Sequence, residues 1–240
     1  MKHVLIYTGP SKKFAAEDEI LIKVQIDNSL QLGYTRDDIL LFTDFPFEYN
    51  SVKATVLPDN LYYPFDLNAG KIPVLCYLIS NNLVPSASLY WCHDLDAYEQ
   101  YKIDEKKLEL DSFDLGLTHY TYKPEWQFGS VFFKTSALDI FELIHSETLK
   151  KPHLSRNNEK VLTKLIREDK IDSKRYKRLN PTYNFMKKYI QTIYRLANKP
   201  IIVPHFRPSD AMEILRGKNL LKIPLINERL IKIFKTHGIT

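Results

Sequence analysis

Cysteine is scarce, with two residues, Cys76 and Cys92, in 240. Both sit in apolar patterns and read as buried thiols of a reducing compartment, not as the framework of a stapled secreted domain. Neither they nor His93 have a further ligand at zinc spacing, which argues against a zinc module. Long apolar runs are missing as well. No segment approaches the roughly 20 residues that cross a bilayer, and the opening run 1–6 is too short for the apolar region of a signal peptide. No Asn-x-Ser/Thr sequon occurs. The expectation is a cytoplasmic protein with no membrane span. No Gly-x-Gly-x-x-Gly follows the first strand-like run, so a dinucleotide fingerprint is absent. What remains is an ordinary globular composition, 44% apolar and 26% charged, long enough to bury a sizeable core.

The charge excess is mild, +5 with a pI near 8.9. Much of it falls in residues 170–188, where Lys170, Lys174, Arg175, Lys177, Arg178, Lys187 and Lys188 interleave with Tyr176 and Tyr183, and Tyr189 follows directly. Such a stretch can bind nucleic acid. A solvated face near a phosphate-handling site explains it more simply, so no nucleic-acid partner is expected.

Hydrophobic periodicity sets the order of elements. Residues 4–7 read as a strand closed by Thr8-Gly9-Pro10. Residues 17–32 have helical spacing, with Leu21, Val24 and Leu32 inward, an acidic first turn and Gly33 as the stop. Residues 39–42 form a second buried strand, giving a β-α-β opening with a parallel pair. A helix over 72–83 leads to an apolar strand over 88–92. Further on come a mixed segment at 113–122, a strand at 128–133, and helices at 137–144, 159–167 and 185–197. A late strand at 200–204 then presents His205, and a basic amphipathic helix covers 225–237. No repeat or linker divides the chain, so one domain over 1–240 is expected.

The most informative residues are Asp94 and Asp96, which follow that apolar strand with His93 between. In extended chain, residues i and i+2 project to one side. Two carboxylates at a strand mouth repel each other unless a cation lies between them, and hard oxygen ligands suit Mg²⁺ or Mn²⁺. A cation held so can neutralise a diphosphate, the leaving group of a nucleotide sugar.

The ordered set of strand 4–8, strand 39–44, Asp94-Leu95-Asp96, the Gly129-containing strand, Asn158-Glu159, the run 179–184 and the late His205 resembles the GT-A superfamily of nucleotide-sugar glycosyltransferases. Within it, the chain is most similar to the glycogenin-like and galactosyltransferase-like family. The resemblance spans most of residues 1–220. It implies a Rossmann-like α/β fold with a mixed central sheet flanked by helices, a nucleotide-binding half over about 1–100 and an acceptor half over about 101–240. It also implies a UDP-linked sugar donor and a glycan or other hydroxyl acceptor. Asp94, Asp96 and His205 take the places of the metal ligands, and an imidazole among carboxylates favours Mn²⁺ over Mg²⁺. Tyr7 and Thr8 fall where the family holds base and ribose, and Lys71 resembles a basic residue touching the donor. The family's Lys-Pro-Trp after the late histidine is missing. Lys218, or Arg207 nearer in sequence, stands in for its diphosphate-binding lysine.

Other residues admit two readings. Glu159 either takes a proton from the acceptor hydroxyl or is a carboxylate favoured in a helix's first turn. Trp126 stacks on a sugar or is packed. Gly129-Ser130 admits close backbone approach or marks a bulge, and Asp44 is a further strand-end contact. The rival functions are a haloacid-dehalogenase-type phosphatase, whose aspartate pair belongs at the first strand, and a non-enzymatic carbohydrate- or nucleic-acid-binding module using 170–189.

Overall fold

The computed structural model describes residues 1–62, 70–120, 125–150, 157–186, 190–206 and 226–239. Its first half is the β-α-β unit that the hydrophobic pattern demands. Strand β1 (Lys2–Tyr7) buries His3, Val4 and Leu5 and pairs in parallel with β2 (Ile39–Thr43), which buries four of its five residues. Between them runs α1 (Ala16–Gln31), with Glu17, Asp18 and Glu19 in its first turn, where carboxylates oppose the helix dipole. Gly33, at φ +83°, turns the chain out of that helix, a conformation that a Cβ resists.

Two short strands, β3 (Glu48–Tyr49) and β4 (Val52–Lys53), make a hairpin, and β5 (Thr55–Val56) joins β2 at the sheet edge. Helix α2 (Lys71–Ser80) then delivers β6 (Tyr90–His93), all four residues buried. The chain continues through α3 (Glu105–Leu108), β7 (Leu115–His119), β8 (Trp126–Phe133), α4 (Leu138–Leu149), α5 (Asn157–Arg167) and β9 (Tyr176–Arg178). Seven strands form one mixed sheet in the order β5-β2-β1-β6-β8-β7-β9. Strands β1, β2 and β6 run parallel, whereas β8 is antiparallel to both β6 and β7. Asp94 therefore leaves the sheet at the carboxyl rim of its parallel half, where open α/β sheets bind ligands.

The β7–β8 ladder slips between Leu117, opposite Val131, and Thr118, opposite Gln127. Residues 128–130 arch out of register there, so Gly129 belongs to a bulge.

The last third differs from the periodicity. Residues 185–197 do not form one helix. Phe185–Met186 is a strand, β10, paired in parallel with β11 (Pro204–His205), and the helix, α6 (Ile190–Leu196), begins afterwards. The late strand at 200–204 reduces to this two-residue pairing outside the main sheet. Backbone hydrogen bonds explain both shifts. Phe185 N–H reaches Val203 O, and Tyr98 and Gln100 N–H reach Pro204 O and Ile202 O. Helix α2 stops at Ser80, two residues before Asn82 enters the left-handed region at φ +54°. In α1 the core faces are Ile22, Val24 and Ile26, with Leu21 and Leu32 half-buried. The C-terminal helix α7 (Glu228–Thr236) is capped by the Asn227 side chain on Leu230 N–H.

Candidate functional site

The segment from 94 to 100 is pinned from three sides. Asp94 N–H continues the ladder to Gly129 O, and Ala97 N–H turns back to Asp94 O. Phe206 N–H donates to Asp96 O, tying the segment to the stretch that carries His205. From below, the buried Gln25 amide of α1 donates to Leu95 O at 2.7 Å and Ala97 O at 2.9 Å, and Asn28 donates to Glu99 O. Buried carbonyls left unpaired are costly, so these amides fix the course of the chain through the two aspartates.

That course brings Asp94, Asp96 and His205 together, with one ligand atom from each all within 4.8 Å of one another. His205 Nε2 lies 3.1 Å from Asp96 Oδ1 and 3.3 Å from Asp94 Oδ2. Its Nδ1 faces Asn184 Oδ1 at 2.7 Å. Asn184 is buried and uses its amide N–H groups on Gln127 Oε1 and Thr118 Oγ1. The ring fits because residue 129 is glycine: a Cβ there would come within 2.3 Å of His205 Cε1 and 3.0 Å of Asp94 Oδ2.

Charge balances closely in this cluster. Burial disfavours an ionised Asp94, but Lys71 and His205 outweigh it and hold the carboxyl well below the usual range. Burial likewise works against a charged His205, yet Asp96 and Asp94 raise it to about 10. Lys71 opens α2 and is ion-paired with Asp94 Oδ1. Two carboxylates and one imidazole nitrogen converging this way suit a divalent cation such as Mn²⁺.

The other sequence candidates fall as follows. Tyr7 is half-buried, its hydroxyl accepting from Ala15 N–H and its ring against Phe14 and Phe45. Thr8 is half-buried just beyond it. Glu159 is buried and accepts from the Tyr120 hydroxyl and from Phe128 N–H. Phe128 is one of the arched residues of β8, so the carboxylate satisfies an N–H that the bulge withdraws from the β7 ladder. Trp126 is packed edge-on against His119 and Tyr176, the packed alternative for that ring. Lys218 and Arg207 lie outside the described residues. In the basic segment, Arg175 pairs with Asp114 and Asp139 and Lys177 with Glu109. Two of its charges are thus already paired within the fold.

Sequence reading gave Asp44 little weight, and it left Gln25, Asn28 and Asn184 without a role. Asp44 follows β2 at the same rim, is 4% exposed, and accepts from Gly9 N–H through Oδ2. Its Oδ1 is buried with no partner among the described residues. An Asn or Gln on an otherwise apolar helix face is the signal that points to such residues.

No protein-family model matches the chain, and no curated protein matches it by sequence. Solved structures do. The galactosyltransferase LgtC, in complex with donor and acceptor sugar analogs, superposes with a TM-score of 0.57 at 13% identity, over 97% of this chain and 100% of that one. A glycosyltransferase involved in the glycosylation of the major capsid of PBCV-1 gives 0.54 at 14% identity, covering 99% and 98%. The glycosyltransferase GlyE of Streptococcus pneumoniae TIGR4 gives 0.59 at 12%, covering 99% of this chain, which spans 64% of that protein's chain. The chain has the GT-A glycosyltransferase fold, a mixed sheet flanked by helices. Among the described residues, no helix is long and apolar enough to cross a membrane.

Proposed function

We propose that this chain is a metal-dependent glycosyltransferase that moves a sugar from a nucleoside diphosphate, UDP in our reading, to a hydroxyl acceptor. The observation that carries it is the convergence of Asp94, Asp96 and His205 Nε2 at the carboxyl rim of the sheet. The partial likeness to a galactosyltransferase caught with donor and acceptor analogs supports it.

A divalent cation, when bound there, would supply positive charge against the leaving diphosphate. Asp94 and Asp96 would hold it through oxygen and His205 through Nε2. Lys71 keeps Asp94 ionised and places a second positive charge beside the ligand set. Lys218, or Arg207, is our choice for a basic residue that adds positive charge against the diphosphate. Tyr7 and Thr8 flank the nucleoside at the end of β1. The unpartnered Asp44 Oδ1 needs a donor. The ring N–H of uracil or guanine offers one, whereas cytosine and adenine present a lone pair at that position. We assign Glu159 to holding the bulge that carries Gly129, not to proton transfer.

Isothermal titration with UDP and Mn²⁺ tests the reading. Wild type is expected to bind UDP only with the metal, to prefer it to CDP, and to lose binding in Asp96→Ala. Equal UDP affinity in wild type and variant would remove the metal bridge. A panel of nucleotide sugars screened for thermal stabilisation with Mn²⁺ then identifies the donor.

A further inference from the structure

We infer that Asn184 is the positioning residue of this site: its side-chain carbonyl sets the tautomer of His205 so that Nε2, not Nδ1, is offered to the cation. The inference rests on the metal-binding reading above and goes beyond it to a residue outside the Asp94, Asp96 and His205 set.

The imidazole has two nitrogens, and a neutral ring can coordinate only through the one without a proton. Asn184 Oδ1, 2.7 Å from His205 Nδ1, is an acceptor, so it keeps a proton on Nδ1; Nε2, which in the metal-free ring donates toward Asp94 and Asp96, is the nitrogen that gives up its proton to a cation. The Asn184 amide is oriented by two acceptors at the slip in the β7–β8 ladder. Thr118 and Gln127 are cross-strand partners there, and both accept from Asn184 Nδ2, at 3.1 and 2.8 Å. Flipping it alone would set its oxygen against Gln127 Oε1 and its N–H against His205, so Asn184 turns over only if Gln127 turns with it. Asn184, Thr118 and Gln127 are each at most 4% exposed, so water does not substitute for the missing partner. The adjoining backbone fixes the distance, because Asn184 precedes β10 and His205 ends the β11 strand paired with it. A hydrogen-bond acceptor behind a ligating histidine orients the ring and raises its basicity as a ligand.

The test uses the full chain labelled with ¹⁵N. In metal-free protein, His205 Nδ1–H is expected as a slowly exchanging downfield proton that vanishes in Asn184→Leu. With Zn²⁺ as a diamagnetic stand-in, Nδ1 is expected to stay protonated and Nε2 to take the metal-bound shift. In titrations, Asn184→Leu is expected to bind Mn²⁺ about 10- to 100-fold more weakly. Asn184→Asp keeps the acceptor and lets the Gln127 amide turn to donate, so it is expected to retain affinity within about threefold.

Persistence of the Nδ1 proton in Asn184→Leu would overturn the inference. Metal on Nδ1 would do the same, as would equal losses in the folded Leu and Asp variants. Failure of the metal reading looks different: wild type then takes up no Mn²⁺, with or without UDP, while the metal-free proton signal still reports on Asn184.

Discussion

Gly129 has no side chain, and the candidate site depends on that. Adding one methyl group puts a carbon 2.3 Å from His205 Cε1, a distance no packed interior accepts. The ring must then move off Asn184 or the arch of β8 must shift. Gly129→Ala is expected to cost about 1–3 kcal/mol of stability and to abolish Mn²⁺ retention. Thermal melts and metal titration read both, and undisturbed Mn²⁺ binding would show that the close approach is not needed. Glu99 makes a second residue-scale case. Tyr34 hydroxyl and Ile103 N–H both donate to its Oε1, and Oε2 faces His3 Nε2 at 3.4 Å. Ser29 donates its hydroxyl hydrogen to Gln25 O, so it must accept from His3 Nδ1–H, which leaves Nε2 a lone pair. The proton between Glu99 and His3 therefore belongs on Glu99, in agreement with burial pushing that carboxyl up to about 7 from 4.5. Between those two values the folded chain holds a proton the unfolded chain has released, so this group's contribution is complete below 4.5 and is lost as pH rises through about 7. Glu99→Gln supplies an N–H in place of that O–H. Urea unfolding at a series of pH values is expected to show a decline toward alkaline pH in wild type and a flatter profile in the variant. Parallel profiles would place the proton elsewhere.

At the scale of elements, α1 has one face in the apolar core and another that reads polar in sequence yet is buried. Gln25, Asn28 and Ser29 are each 1% exposed. Periodicity alone assigns such residues to solvent, which is why the inward positions expected from Leu21 and Leu32 shift to Ile22 and Ile26. Gln25→Leu keeps the volume but strands Leu95 O and Ala97 O. The expected cost is about 1–3 kcal/mol for each carbonyl left buried and unpaired, with weakened Mn²⁺ binding because the stranded carbonyls flank Asp96. If stability falls while metal affinity holds, the amide supports the fold without positioning the ligands. Strands β1, β2, β6 and β8 were legible because buried central strands are continuous apolar runs. Strands β10 and β11 were not. Phe185 and Met186 continue a helical spacing toward Ile190 and Ile193, and what makes them a strand is a backbone partner at 203–205, which no local pattern records.

For the whole molecule, the chain closes on itself beneath the site. Arg229 of α7 donates to Asn28 Oδ1 at 2.6 Å and to Gln100 O at 3.0 Å. Leu230, Ile233 and Phe234 join Val24 and Tyr98 in one buried cluster, with Phe234 edge-on to Tyr98 at 5.0 Å. The last helix thus packs on both α1 and the segment that follows the aspartates. Ending the chain before residue 226 removes four buried side chains, Ile226, Leu230, Ile233 and Phe234, worth about 1.5–3 kcal/mol each, against a total stability of about 5–15 kcal/mol for a domain. Loss of a cooperative melt is the expected outcome, followed by circular dichroism. A truncated chain that melts like the full one would show the helix to be an accessory.

The order of local periods, the acidic start and glycine stop of α1, and two carboxylates at the mouth of an apolar strand are properties of neighbouring residues, and the amino-acid sequence alone determined them. The company those carboxylates keep was decided by folding. His205 stands 109 residues from Asp96, and Asn184, Gln127 and Gly129 reach it from other parts of the chain. Contacts at such separations depend on how strands cross and where a ladder slips, and a hydrophobic pattern encodes neither.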